Sequence, residues 1–272
     1  MRAARVYKYA NIVSSENSTG DFLTNCKNCR DSYDLNDSED CKYVTVGVQV
    51  KDLMDCSNMY IKPELAYQVM GTIGIYNVIF STYIFNSQNV AYSQFCYNSK
   101  DLFGCVGLRN KQYCILNKQY SKEEYEALVP RVIEMMGADF GRFFPATHSA
   151  FAYNETVANE YLPLSREAAL ARGYRWREKD AREYLPASGD VLACFDCGKN
   201  YKLIPQEVAR LKGFSAPTKC PDCRLATRMR LRNPHKIYTR SCSKCSGVMN
   251  STFSPDRAEK VYCEKCYFAE VY

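Results

Sequence analysis

The chain has 272 residues, 46 % apolar and 24 % charged, a globular composition with room for two or three folded units. It contains no run of 18 apolar residues, which excludes a membrane-spanning helix, and residues 1–15 lack the apolar core of an export signal. The net charge of +6 is uneven: residues 1–120 carry 12 basic and 11 acidic side chains, 121–193 carry 9 and 12, and 194–272 carry 15 and 7.

Fifteen cysteines divide into eight arranged as Cys-x-x-Cys pairs in the last third and seven before residue 115. Abundant thiols without an export signal point to a reducing compartment, the cytoplasm.

Residues 27–116 hold a repeat. A polar residue followed by a core-sized one recurs as Asn28-Cys29, Asp40-Cys41, Asp52-Leu53, Glu64-Leu65, Asn77-Val78, Asn89-Val90, Asp101-Leu102 and Gln112-Tyr113, in steps of 12, 12, 12, 13, 12, 12 and 11. Small residues follow three positions later, at Cys56, Ser81, Ser93 and Cys105. A short fixed period filled with Tyr, Val, Ile, Phe and Cys is the pattern of stacked β-coils, with Asn, Asp and Ser at the turns. Each coil is either one repeat or two; two per coil predicts a solenoid about four coils tall. A β-sandwich of evenly spaced strands is the competing fold. The early cysteines, including the pair Cys26/Cys29, are expected as buried coil thiols, a metal half-site being the alternative. Asp40, Asp52, Glu64 and Asp101 form either an acidic stripe or a column of turn residues.

After Tyr120 the spacing becomes helical. Ser121 and Glu124 form a capping box, Tyr125, Leu128, Val129, Val132, Ile133 and Met136 share one face, and Gly137 ends the run. Pro130 is expected to kink or split this helix, which is predicted to cap the solenoid's end. Residues 138–163 are aromatic and irregular, and His148 among them reads as structural. Ser165 caps a second short helix ending at Gly173. Trp176 is read as packing, with base stacking as the alternative. The stretch 177–190, with Pro186 and Gly189, reads as a linker.

The four knuckles are Cys194/Cys197, Cys220/Cys223, Cys242/Cys245 and Cys263/Cys266, separated by 22, 18 and 17 residues. Two knuckles facing each other place four thiolates about 2.3 Å from one Zn²⁺. The spacing predicts two consecutive sites, 194/197/220/223 and 242/245/263/266. Interleaved pairing and disulfides are the alternatives. All eight thiols are consumed in closed shells, so two structural Zn²⁺ and no catalytic residue are expected. Between the first site's knuckles, Pro205 opens a helix that stops by Gly213. The link to the second site carries Arg224, Arg228, Arg230, Arg232, Lys236 and Arg240 with no acid. If extended, it places Arg228, Arg230 and Arg232 on one face able to follow a phosphate backbone.

CFDCGKNYKLIPQEVARLKGF with KCPDCR resembles the zinc-ribbon family, in which a CxxCGxxF/Y knuckle, a short Glu-containing helix and a CxxCR knuckle recur. RNPHKIYTRSCSKCSG with FSPDRAEKVYCEKCY is similar to the second ribbon of a group of uncharacterised proteins from uncultured bacteria with small genomes. DLFGCVGLRNKQYCILNKQYSKEEYE and YNETVANEYLPLS are similar to the same group. The resemblance covers nearly the whole chain and implies zinc at the eight cysteines, with no implied reaction. Members are longer upstream, which implies a shortened member or a fragment here.

The expected organisation is mainly β: a solenoid of about 12-residue repeats over 1–120 with a helical cap and linker over 121–190, then zinc ribbons over 191–234 and 235–272. The expected function is a non-enzymatic zinc-binding protein whose ribbons contact nucleic acid. The alternative is a protein-interaction scaffold on the solenoid face, and an activity on the solenoid is a third class. No membrane partner is expected.

Overall fold

The computed structural model describes residues 5–178, 187–188 and 190–271. The chain forms two compact units, Met1–Pro145 with His235–Tyr272, and Ala146–Pro234. The expected fold is adopted: the chain is mainly β, with a β-solenoid of about nine turns and two four-cysteine clusters towards its C-terminal end.

The coil is shorter than the expected 24 residues. Strands pair in parallel at a spacing of 12, as in Gly20↔Ser32, Tyr33↔Thr45, Tyr76↔Gln88 and Gln88↔Lys100. One repeat is therefore one whole coil, and parallel in-register stacking excludes the sandwich. The reason lies in the backbone. Every third residue is left-handed, for example Asn25, Asn28, Asp31, Asp34, Asp37 and Asp40, with φ between 47° and 56°. The residue after each is buried: Cys26, Cys29, Ser32, Leu35, Ser38 and Cys41. Four such corners close a coil in 12 residues. Left-handed backbone costs roughly 1–2 kcal/mol for most residues and less for Asn and Asp, whose side chains bond locally.

This corrects two of the repeat pairs. Leu65 (φ 52°) and Tyr113 (φ 54°) are corners, so Ala66 and Cys114 are the core residues. The one long coil holds its extra residue at Ile61 and Lys62, two successive left-handed residues before buried Pro63.

Inside, side chains stack in columns along the axis. One column is Cys29, Cys41, Leu53, Ala66, Val78, Val90, Leu102 and Cys114, all at most 4 % exposed. Two columns contain serines that clip successive coils. Ser81 Oγ donates to Ile79 O (2.8 Å) and accepts Ser93 N–H (3.0 Å); Ser93 Oγ donates to Ala91 O (2.9 Å) and accepts Cys105 N–H (3.0 Å). Coil thiols make similar bonds, as Cys105 Sγ does to Cys114 O at 3.3 Å. Outside, corner amides form ladders: Asn77 to Asn89 to Asp101, each 2.9 Å, and Asn28 to Asp40 at 2.8 Å. Asp40 and Asp101 are thus turn chemistry rather than a free acidic stripe.

The Lys122–Met136 helix has the expected capping box (Ser121 N–H to Glu124 Oε2 2.8 Å, Glu124 N–H to Ser121 Oγ 3.2 Å) and ends at Gly137. It runs unbroken through Pro130. It meets the last coil, where Tyr125 lies against Tyr113 (5.9 Å), and continues along the solenoid's side. Tyr125, Leu128, Val129, Val132, Ile133 and Met136 pack on a cluster built from Tyr67, Phe80, Tyr92, Phe103 and Ile115, which lies along a flank of several coils. That flank is where the coils carry large apolar residues outside the core. The last coil's edge is also met by Lys118–Gln119, antiparallel to Gln112–Ile115.

The first coil is met by the chain's far end. Val6–Lys8 pairs in parallel with Lys260–Tyr262, and Tyr9 N–H donates to Tyr262 O (3.0 Å). Ser251 Oγ donates to Tyr9 O (2.5 Å), and Thr252 Oγ1 donates to Asp21 Oδ2 (2.5 Å). Asp21, Ser251 and Thr252 are all buried. The same carboxylate accepts Asn11 N–H (2.7 Å) and Phe22 N–H (3.0 Å). His235 stacks on Tyr33 (4.9 Å) and reaches Asp34 (3.0 Å), and Lys8 pairs with Glu264 (2.7 Å).

In the other unit, His148 lies in an exposed turn and Trp176 is half-buried. Tyr153 stacks on Tyr174 (5.1 Å), and Asn154 and Arg177 exchange two backbone-directed bonds (2.8 and 2.9 Å). Most of the expected 177–190 linker, including Pro186 and Gly189, lies outside the described residues.

Replacing Ser93 by Ala strands the buried N–H of Cys105, and an unsatisfied buried donor costs about 1–3 kcal/mol. Chemical denaturation of Ser93→Ala is expected to show that loss, with Ser93→Cys recovering part of it; an unchanged midpoint would contradict the clip.

Candidate metal centres

Each four-cysteine cluster is assembled from a hairpin knuckle and a helix start. In the first, Cys194 and Cys197 lie in the turn between Val191–Ala193 and Asn200–Lys202, while Cys220 precedes and Cys223 sits in the first turn of the Pro221–Leu231 helix. In the second, Cys242 and Cys245 follow Tyr238–Ser241 in its hairpin with Val248–Ser251, and Cys263 and Cys266 flank the start of the Glu264–Val271 helix.

The four sulfurs of each cluster lie within 4.8 Å of one another. The Cys197–Cys220 and Cys245–Cys263 Sγ separations are both 3.8 Å. A tetrahedron with metal–sulfur bonds of about 2.3 Å has edges of about 3.8 Å, so the donors fit a thiolate-bound ion. All fifteen cysteines are free, and the pairing is consecutive rather than interleaved.

Backbone donors prepare the sulfurs for ionisation. Cys220 N–H points at Cys194 Sγ (3.2 Å), and Cys263 N–H at Cys242 Sγ (3.3 Å). Burial opposes ionisation of Cys194, but the N–H groups of Cys220, Cys197 and Asp196 outweigh it and draw the thiol down to about 6. Cys242 is drawn down to about 6 against burial by the N–H groups of Cys245, Cys263 and Lys244. Four sulfurs this close cannot all ionise without a cation. Cys266 is pushed up to about 12, first by its bond with Cys263 and then by burial, and Cys223 is raised first by Cys197. A bound divalent ion replaces those protons.

The seven solenoid cysteines behave differently. All are buried, and among the described residues they form no metal cluster. Burial pushes Cys56 and Cys105 each up to about 11, so both stay protonated at neutral pH. The Cys26/Cys29 pair belongs to the coil core, as its position in the repeat implies.

The six basic residues do not form the stripe that an extended link would give. The chain is helical to Leu231, so Arg228 and Arg230, both exposed, are about 200° apart around the axis. Arg224 pairs with Glu207 (2.8 Å) inside the first four-cysteine unit, and Arg232 lies over the Tyr161 ring (4.1 Å). Lys236 and Arg240 belong to the solenoid's unit. Lys236 lies over Tyr238 (5.1 Å), and the Arg240 guanidinium donates to Phe253 O (3.4 Å) and Ser254 O (3.2 Å). Asp21, His235 and Thr252 carry contacts that spacing alone did not reveal, since Asp21 and Thr252 are 231 positions apart in the chain.

No helix among the described residues is long and apolar enough to cross a membrane. No family model matches the chain, and no curated protein or solved structure matches it. The two clusters are therefore defined by geometry.

The metal-loaded protein is expected to contain two ions per chain by elemental analysis. Cys220→Ser should hold one, and two ions retained in that variant would overturn the assignment of the first site.

Proposed function

We propose that this is a non-enzymatic binding protein in which two structural zinc ions hold the four-cysteine units and the solenoid presents a face to a protein partner. Zinc is the ion that four tetrahedral thiolates with no open position suit best. Shells made wholly of protein sulfur leave no site for water or substrate. The number of thiols that must stay reduced suits the cytoplasm.

The observation that carries the reading is a sparsely charged, apolar face. Two adjacent sides of the coils over residues 57–62, 70–74, 82–86, 94–98 and 106–110 contain Lys62 and Arg109 as their only charges. They display Tyr60, Ile61, Met70, Tyr83, Phe95 and Val106, all more than a third exposed. Tyr83 stacks on Phe95 (5.0 Å) and Phe85 on Tyr97 (4.9 Å), one coil apart, which makes the display rigid. The side bearing Lys27, Glu39, Lys51, Glu64 and Lys100 is charged by contrast. A contiguous apolar display on a protein of this composition marks an interaction surface. A photo-crosslinking residue at Phe95 is expected to give discrete protein adducts in cells, and one at Gln88, on the charged side, is not. Equal adducts from both positions would count against this face.

A second reading keeps nucleic acid as the partner. It is favoured by exposed Arg228 and Arg230, which have no ion pair among the described residues, on the more basic part of the chain. Binding to random single- and double-stranded oligonucleotides across a salt series separates the two. A steep salt slope that flattens in Arg228→Ala/Arg230→Ala establishes phosphate contact. No binding at low salt removes this reading and leaves the scaffold.

A further inference from the structure

We infer that the second four-cysteine unit is a metal-dependent plug on the first coils of the solenoid, so that its ion controls the order of residues 20–42 as well as of the ribbon itself. This goes beyond a zinc that merely stabilises its own ribbon.

A solenoid's first coil has no preceding coil to pair its backbone or cover its core, and terminal units must supply both. Residues 11–19 pair with the coil that begins at Gly20, and further cover comes from residues 235–271. It reaches the coils at several points: Thr252 on the Asp21 carboxylate, Ser251 on Tyr9 O, the Lys260–Tyr262 strand beside Val6–Lys8, and His235 on Tyr33 and Asp34.

Most of these contacts sit on elements that the metal ligands terminate. Tyr262 directly precedes Cys263, and Glu264, which holds Lys8, directly follows it. Ser251 ends the hairpin whose other strand runs into Cys242. The unit has almost no apolar core of its own: among its described residues only Cys242 and Val261 are buried and apolar. Small units of this kind draw their folding free energy from the ion. When the ion leaves, the unit that carries Thr252 loses its main source of folding free energy, and the buried Asp21 carboxylate loses a donor and part of its cover together.

The ion is also within reach of solution. Cys245 is exposed and Cys263 and Cys266 are half-exposed, so a chelator or thiol oxidant has access to the second site. The first site belongs to the other compact unit, which provides an internal comparison.

The test is hydrogen exchange by mass spectrometry on the full-length chain, with metal content measured on the same samples. Cys245→Ser is expected to hold one ion and to exchange at least about tenfold faster over residues 20–42, with residues 76–103 unchanged. Cys197→Ser is expected to hold one ion and keep residues 20–42 protected. Wild-type protection of 20–42 in a Cys245→Ser sample that has lost an ion would overturn the inference. Equal acceleration over 76–103 would also overturn it, because the effect would then be global. If Cys245→Ser does not accumulate as folded protein, Thr252→Val reads the same contact with both ions bound. Faster exchange at 20–42 supports the plug, and unchanged exchange overturns it.

Discussion

The left-handed corner at every third residue is the constraint on which the solenoid depends. It turns the chain four times in 12 residues, points the next side chain inward, and aligns equivalent positions of successive coils. Asn and Asp occupy many corners because they tolerate this backbone and because their amides and carboxylates bond to the corner one coil away. The same geometry turns the core residue's N–H inward. Ser and Cys in the inner columns answer it or bond the neighbouring carbonyls, so small polar residues are as much part of this core as Leu and Val.

Stacked coils leave two further problems, open ends and apolar flanks, and each has its own solution here. The Lys122–Met136 helix covers the flank where Phe80, Tyr92 and Phe103 protrude. The short antiparallel return at Lys118–Gln119 meets the last coil, and the second four-cysteine unit meets the first. A module built on a four-cysteine cluster able to hold a metal thereby becomes part of the solenoid's own packing. The side with Tyr83, Phe85, Phe95 and Tyr97 receives no such element among the described contacts, which is why it is the surface to which a binding role is assigned.

The basic residues show how tertiary contacts redistribute a charge pattern. Arg224 and Arg240 sit within their four-cysteine units, the first on Glu207 and the second on two carbonyl oxygens. A row of basic residues in sequence is thus in part a set of internal ties, while Arg228, Arg230 and Lys236 keep the exposure that phosphate recognition requires.

The repeat, the helix beginning at Ser121 and the composition of both four-cysteine clusters were legible in the sequence, because each rests on local spacing. A knuckle needs two residues between thiols, a capping box needs three positions, and a coil needs a fixed period. Coil length, the slip at Leu65 and Tyr113, and the helix's place on the flank were not legible. A 12-residue period is compatible with one or two repeats per turn until strand register selects one, and an amphipathic helix does not name the surface it will cover. Least legible was the joining of Thr252 to Asp21 across most of the chain. By itself the sequence determined what can bind metal and what repeats, since those depend on neighbours along the chain. The tertiary structure alone decided which end of the solenoid the second four-cysteine unit meets, since that depends on a buried carboxylate finding a donor that no local pattern connects to it.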